Sequence, residues 1–367
     1  MIRICHVTTV HPRNDTRIRY KECRSLKVRG FEVHLVVADG NGPEVTDGIT
    51  IWDIGKPRNR IVRLLFFRSK MIKKALELDA EVYHFHDPEL IFLGGALIRR
   101  GKKVIYDVHE DVPRQLLSKP YLPKLVRQVI SRGVEIVENR YARLFTGIVA
   151  ATPFIRDRFL KLNPRVITVQ NFPLLDEFIQ QTSEMLLPKK KSVCYVGGIS
   201  KVRGIKNMVL AMQYVKGVTL TLGGKFESAS LLDECKSLDG WEKVQYLGFL
   251  NRSQVNTTLK ESVAGLVVLE PIPNYLDSIP VKMFEYMAAG IPLIASDFPY
   301  WRELLQGTDC VQFVDPLNPE SIALAIDELV RDRDRAEKMG SAGQNAVYEE
   351  FNWNIEEKKL HELYSAL

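Results

Sequence analysis

At 367 residues the chain is longer than one hydrophobic core usually supports, so two domains are expected. Its 46% hydrophobic and 26% charged residues are ordinary for a soluble globular protein and exclude a disordered or fibrous chain. A net charge of +6, without zinc-finger spacing, an RNA-binding aromatic signature or a heptad run, gives no reason to expect nucleic acid as a partner.

The chain opens with "MIRICHVTTVHPRND", which turns polar too early for a secretory leader. No later run reaches the ~18 to 20 apolar residues of a membrane span. The five cysteines show no CxxC or metal-like spacing, and an odd count argues against a disulfide framework. Cys5 and Cys194 fall in strands and read as packed thiols of a reducing compartment, so a cytoplasmic protein is expected.

Strand candidates in the first half are "RICHVTT", "EVHLVVA", "GITIWDI", "VYHFHD", "KVIYDVH", "GIVAAT" and "VITVQNF". Helical patterns such as "TRIRYKECRSLKVRG" and "PKLVRQVISRGVEIVENRYARLF" separate several of them, which implies βαβ crossovers and a mostly parallel, doubly wound sheet. After the first strand, "HPRNDTRI" carries His11, Arg13, Asp15 and Arg17. These either meet a substrate or serve as a helix cap, through Asp15 or Thr16, with solvated cations. "VYHFHDPEL" places His84 and His86 on one face, with Asp87 at the strand end. Neither histidine pair has a convincing metal constellation; His84 reads as a packed core histidine, and His86 stands between core and site.

Residues 57–74, "PRNRIVRLLFFRSKMIKK", hold Arg58, Arg60, Arg63, Arg68, Lys70, Lys73 and Lys74 with no acid, around Leu64, Leu65, Phe66 and Phe67. A second basic, leucine-containing stretch follows at "RQLLSKPYLPKLVRQVISR". Both suit an anionic membrane surface, or a partly buried helix with a solvated basic face. The Pro- and Lys-rich "EMLLPKKKS", residues 184–192, reads as a connector.

Beyond it the α/β pattern starts again, with "SVCYVGG", "IKNMVLAMQYV", "VTLTLGG", "VQYLGFL", "AGLVVLE", "IPLIAS", "DCVQFVD" and "PESIALAIDELVRDRDRAEKMG". The tail "FNWNIEEKKLHELYSAL" has helical apolar spacing and would pack on either domain. In open α/β sheets ligands sit beyond the carboxyl ends of the strands. There "GGISKVRGIKN" runs from a strand through Gly197 and Gly198 into a helix, with Arg203 and Lys206 nearby. Such a turn offers backbone amides and positive charge to an anion, or is an ordinary tight turn with surface cations.

"DSIPVKMFEYMAAGIPLIASD" is more telling. Pro280 starts a helix whose residues are nearly all apolar or small, yet Lys282 and Glu285 share one face. Lys282 near the first turn would reach an anion at the helix N-terminus, and Glu285 one turn on would accept two hydrogen bonds from a vicinal diol such as a ribose. A Lys282–Glu285 surface pair worth ~0.3 kcal/mol is the other reading. The surrounding sequence offers no polar face on which to put it.

Taken together, "YVGGISKVRG", "LTLGG", "YLGFL" and "SIPVKMFEYMAAGIPLIASD" resemble the donor domain of glycosyltransferase family 4. The resemblance implies an α/β, GT-B fold: two doubly wound Rossmann-like domains facing a central cleft. Their expected bounds are 1–183 for the acceptor and 184–350 for the nucleotide sugar, with a C-terminal helix, 351–367, packing back on the N-terminal domain. It also implies transfer from a nucleoside-diphosphate sugar with retention at the anomeric carbon, without a cofactor or metal. Glu285 would hold the ribose and Asp277 would lie near the donor sugar. The amides after Ser278, the Arg203 side chain and the loops at Gly197, Gly198 and Gly224 would bind the diphosphate. Where the family usually carries Arg and then Lys, this chain has Gly198 and Arg203, leaving Lys282 to replace the missing cation; the usual Glu-Gly-Phe-Gly is "DSIP". His109, after "YDV", matches a histidine that contacts the donor sugar, and His11, Arg13, Asp15, Arg17 and His86 would lie on the acceptor side. The acceptor is expected to be a glycan or lipid-linked glycan of bacterial surface-polysaccharide assembly at the inner membrane surface. A sugar-nucleotide 2-epimerase using Asp87, His86, Glu110 and Asp111, or a non-catalytic sugar-nucleotide-binding protein, would share the fold.

Overall fold

The computed structural model of the chain describes residues 1–117, 123–176 and 190–367. They form two units, Met1–Asn171 with Trp353–Leu367, and Phe172–Asn352. The division expected at 183/184 lies outside the described residues. The chain changes units earlier because Phe172 already packs on Phe284 and Phe351, with ring centroids 4.7 and 5.4 Å away. Phe351 stays with the second unit for the same reason.

In the first unit eight strands run in the order β3-β4-β2-β1-β5-β6-β7-β8. They are β1 Arg3–Val7, β2 Glu32–Val37, β3 Glu44–Thr46, β4 Ile49–Asp53, β5 Val82–Phe85, β6 Lys103–Val108, β7 Gly147–Ala150 and β8 Val166–Thr168. All neighbours are parallel except β3 and β4, a hairpin the sequence reading missed. Its signal was there: Asp47 and Gly48 both take positive φ, 54° and 72°, as a two-residue Asp-Gly hairpin turn requires. The inner strands read as unbroken apolar runs because helices cover both faces. The last helix, Trp353–Ser365, belongs to this unit: Trp353 Nε1 donates to Ser25 Oγ at 2.8 Å, and Tyr364 Oη lies 2.8 Å from His84 Nδ1.

In the second unit six parallel strands run in the order β11-β10-β9-β12-β13-β14. They are β9 Ser192–Val196, β10 Thr219–Gly223, β11 Val244–Gly248, β12 Ala264–Val267, β13 Leu293–Ser296 and β14 Val311–Val314. One core, around Tyr195, Met208 and Ile326, covers one face, and another, around Phe284, Trp301 and Met287, covers the other. In each sheet the order of connection reverses at a central strand, β1 and β9, flanked by β2 and β5 or by β10 and β12. The carboxyl ends of those strands are where such sheets open to ligands. All five cysteines are buried free thiols. No helix among the described residues is long and apolar enough to cross a membrane.

Candidate functional site

At the reversal point of the second unit, β9, β10 and β11 all run out into glycine. Gly197, Gly224 and Gly248 take φ of 131°, 144° and 68°, conformations that side chains rarely adopt. Their backbones interlock: Gly197 N donates to Gly223 O at 2.8 Å, and Gly224 N to Gly248 O at 2.6 Å. A Cβ on Gly224 would stand 1.8 Å from the Gly197 carbonyl oxygen. Gly224→Ala is therefore expected to cost about 3 kcal/mol, combining backbone strain with overpacking. Gly217→Ala, at φ 67° with open space around it, should cost only the strain. Thermal melts of the two variants check the difference.

Onto this floor comes Lys282, from the helix Val281–Ala288 that Pro280 starts. Its ammonium is buried and no hydrogen-bond partner reaches it. It lies 3.8 Å from the centroid of the Tyr195 ring and 3.0 Å from where a side chain on Gly197 would begin. Burial, and then the neighbouring Arg203 guanidinium, push its pKa well below the ordinary lysine value, against a smaller pull from Glu285. Arg203 itself donates to the Gly198 carbonyl at 2.9 Å, and that oxygen also accepts from Tyr195 Oη at 2.7 Å. A side chain on Gly198 would start 2.8 Å from Arg203 Nη1, so the glycine that replaces the family's usual arginine gives Arg203 its room.

The surface pair that the sequence disfavoured, Lys282 with Glu285, is not formed; Glu285 Oε1 accepts from Arg252 Nη1 at 2.8 Å. Arg252 heads the helix Arg252–Glu261, and the sequence reading passed over it because nothing local ties it to position 285. Other expected contacts are corrected. Lys206 is committed to Glu234, not to the glycine turn. Ser278 is occupied at three atoms. Its amide and hydroxyl both donate to the Tyr275 carbonyl, at 3.2 and 3.1 Å, and its own carbonyl accepts from Trp301 Nε1 at 2.8 Å. Asp277 ends the short helix Pro273–Leu276 in an exposed position, its carboxyl raised by desolvation.

In the first unit, the residues expected to line an acceptor instead build a buried network around Asp107. Arg17 clamps Asp107 with two bonds, 3.0 and 2.9 Å, and donates a third to the Val169 carbonyl at 2.9 Å. His86 Nδ1 and His109 Nε2 reach the same carboxylate at 3.1 and 2.8 Å. Burial opposes the ionised form of Asp107, yet Arg17, then His109 and His86, hold it well below the usual carboxylate range. Because His86 donates from Nδ1, its Nε2 is left to accept from His6 Nδ1, 3.0 Å away. Glu22 has the opposite fate. Burial and then Asp107 push its carboxyl well above the ordinary value, and neither oxygen accepts a hydrogen bond although Arg17 Nε stands 3.0 Å away.

So Arg17 and His86 are interior residues, not acceptor contacts. Arg13 is interior too, its guanidinium held by Asp39, Glu44 and the Gly42 carbonyl, which corrects the reading of a solvated cation. Asp15 caps the first helix through the Ile18 amide and also bonds His11 Nδ1 at 3.1 Å. His11, Asp15 and His109 are partly exposed, and the His11 and His109 ring centroids lie 5.1 Å apart. The sequence reading saw no metal constellation. The structure nonetheless brings His6, Glu22, His84 and His86 into ligand range of one another, and likewise His86, Asp107 and His109. The carboxylate of each group, Glu22 or Asp107, stands within 3.0 Å of the Arg17 guanidinium.

Two parallel α/β sheets, the second with a glycine floor at its reversal point, define the class: this is the GT-B fold of glycosyltransferases. Sucrose-phosphate synthase from Thermosynechococcus elongatus superposes with a TM-score of 0.79 at 16% identity, over 100% of this chain and 99% of that one. HepE of Anabaena in complex with UDP-glucose superposes with a TM-score of 0.74 at 13% identity, over 100% of both chains. The chain belongs to glycosyltransferase family 4. Residues 20–172 match the model described as Glycosyltransferase Family 4, and residues 178–346 match Glycosyl transferases group 1. An uncharacterised glycosyltransferase of Methanocaldococcus jannaschii is 27% identical over 179 residues, 48% of this chain and 45% of that protein. The chain spans less than half the length of the curated relatives it matches.

Proposed function

We propose that the protein is a retaining glycosyltransferase of hexosyltransferase type. It moves a sugar from a nucleoside-diphosphate sugar to a glycan or lipid-linked acceptor in the cytoplasm, in the assembly of a bacterial surface polysaccharide. The observation that carries this reading is the Lys282 ammonium, buried without a hydrogen bond above a floor of glycines. A buried cation of this kind is costly unless an anion arrives to meet it. The backbone left open by glycine, with Arg203 alongside, suits a diphosphate. The UDP-glucose bound by HepE, which shares the fold, supports the choice of a nucleoside diphosphate.

In this reading the bond from the anomeric carbon to the diphosphate breaks while the acceptor oxygen bonds to the same face. The acceptor proton passes to the departing phosphate oxygen, so no dedicated base is needed. Lys282 and Arg203 disperse the charge that develops on the leaving group, a contribution worth several kcal/mol per donor removed. No metal is required for that task. Glu285 exchanges Arg252 for the ribose diol. Asp277 attends the donor sugar, and His109, its Nε2 fixed by Asp107, steadies the sugar in transfer.

Isothermal titration of the purified protein with UDP, GDP, ADP and CMP, followed by their sugars, tests the reading. One nucleoside diphosphate should bind. Glu285→Ala and Arg203→Ala should each weaken it 10- to 100-fold, with unchanged melts in the absence of ligand. No binding by any of them overturns the proposal, and so does near-wild-type binding and turnover in both variants. Consumption of the nucleotide sugar without acceptor, yielding its epimer, would establish the epimerase instead. Tight binding without turnover on any acceptor would establish a non-catalytic binding protein.

A further inference from the structure

Large apolar side chains exposed to solvent concentrate on two helical segments of the first unit. One is Arg60–Val62 with Arg63–Phe67, which leads into the helix Arg68–Leu78; the other is the leading half of the helix Lys124–Ala142. In the first, Leu65 and Phe66 are 67% and 61% exposed; in the second, Leu125 and Val129 are 76% and 72% exposed. These are consecutive or helically spaced positions, so each segment presents a stripe rather than a stray residue. Phe92, on the helix Ile91–Ile98, links the first segment to the trailing end of the second helix. Its ring is 5.2 Å from the Arg68 guanidinium and 5.5 Å from the ring of Tyr141, which sits on the second helix.

The charges within these two stretches of sequence have one sign. Residues 54–76 and 112–134 contain no acid. Arg58, Arg60, Arg68, Lys70 and Lys73 are all exposed, and among the described residues no carboxylate forms an ion pair with Arg58, Arg60, Arg68 or Lys70. Other cations of the same stretches are matched from outside them, Arg63 by Glu89, Lys74 by Glu77 and Arg114 by Glu135. Apolar stripes that project from a field of unmatched cations fit a surface that is anionic outside and apolar beneath. A second copy of the chain fits poorly, because a two-fold contact would press the cations of this face against themselves.

We infer that this face of the first unit docks on an anionic lipid bilayer, with Leu65, Phe66, Leu125 and Val129 entering the acyl boundary and the Arg and Lys side chains lying among the headgroups. It stands on observations in the first unit and is independent of the donor site.

Flotation of the full chain with vesicles of phosphatidylcholine, alone or mixed with phosphatidylglycerol, tests it. Binding should require phosphatidylglycerol and weaken with salt. Arg60→Gln/Arg68→Gln should lower the partition roughly 30-fold, at about 1 kcal/mol per cation. Leu65→Ser/Phe66→Ser should lower it at least as much. Both double variants alter exposed side chains, so their melts and nucleotide titrations should match the parent protein. No binding to phosphatidylglycerol vesicles at low salt overturns the inference, as does binding that both double variants leave intact. Variants that instead dissociate an oligomer in sedimentation, without changing vesicle binding, would assign the face to a second copy and also overturn it.

Discussion

Lys282→Met is expected to raise the melting temperature of the empty protein by a few degrees while lowering its affinity for a nucleoside diphosphate roughly 100-fold. The two effects have one cause. A buried polar group without a partner costs ~1–3 kcal/mol, and methionine fills the same channel without that penalty. The diphosphate, in turn, loses a charge-assisted contact, worth roughly twice a neutral hydrogen bond and more where water is excluded. The same ammonium sets a pH dependence. Its folded-state pKa is depressed by burial and then by Arg203, with Glu285 opposing and the Tyr195 ring beneath it. Between that depressed value and the ordinary lysine value the unfolded chain binds more protons, so this residue makes the empty protein more stable as pH rises through the window. A bound diphosphate favours the charged form and draws a proton in. Affinity should then fall as pH rises above the depressed value, and binding heats should vary with the ionisation enthalpy of the buffer. Both dependences should vanish in Lys282→Met. Calorimetry in two buffers and melts between pH 6 and 10 measure them. A destabilised variant with unchanged affinity would make Lys282 a structural strut.

What the sequence disclosed, and what it did not, follows from the range of each interaction. The strands were legible because parallel strands covered on both faces must be apolar throughout. The single omission, β3, was marked only by an Asp-Gly turn. Lys282 was legible for a negative reason: its helix had no polar face on which a lysine could rest. Arg17 and Arg13 were placed beside an acceptor, or else in solvent, because the carboxylates that allow their burial come from elsewhere. Asp107 lies 90 residues beyond Arg17, and Asp39 and Glu44 lie 26 and 31 residues beyond Arg13. The Arg252–Glu285 contact, across 33 residues, was invisible on the same ground. Glu22, which the sequence reading passed over, is fully buried. Local pattern reports which faces are covered; it does not report which distant charge covers them.

That burial predicts the largest stability change in the molecule. Arg17→Met should destabilise the protein by about 3–5 kcal/mol, because it strands the Asp107 carboxylate in the interior. The cost belongs to the charge left behind, not to the bond removed. Arg17→Met/Asp107→Leu should therefore be more stable than Arg17→Met alone, a sign of coupling that independent surface substitutions would not show. Glu22→Gln should match the parent in acid and become the more stable of the two as pH rises, since burial and then Asp107 raise that carboxyl in the folded state. The two acids also pull the pH profile in opposite directions. The depressed Asp107 contributes stability above the ordinary aspartate value, and that stability is lost as pH falls through its lower folded value. The raised Glu22 keeps its proton in the folded state, so its contribution is greatest in acid and declines as pH climbs from the ordinary glutamate value towards its folded one. Glu22→Gln should therefore flatten the loss of stability that sets in above the ordinary glutamate value and leave the acid limb, which belongs to Asp107, in place. Denaturant melts of the four proteins across pH measure all of this. If Arg17→Met costs no more than the double variant, the clamp on Asp107 is not what holds the network, and His109 owes its position to something other than that carboxylate.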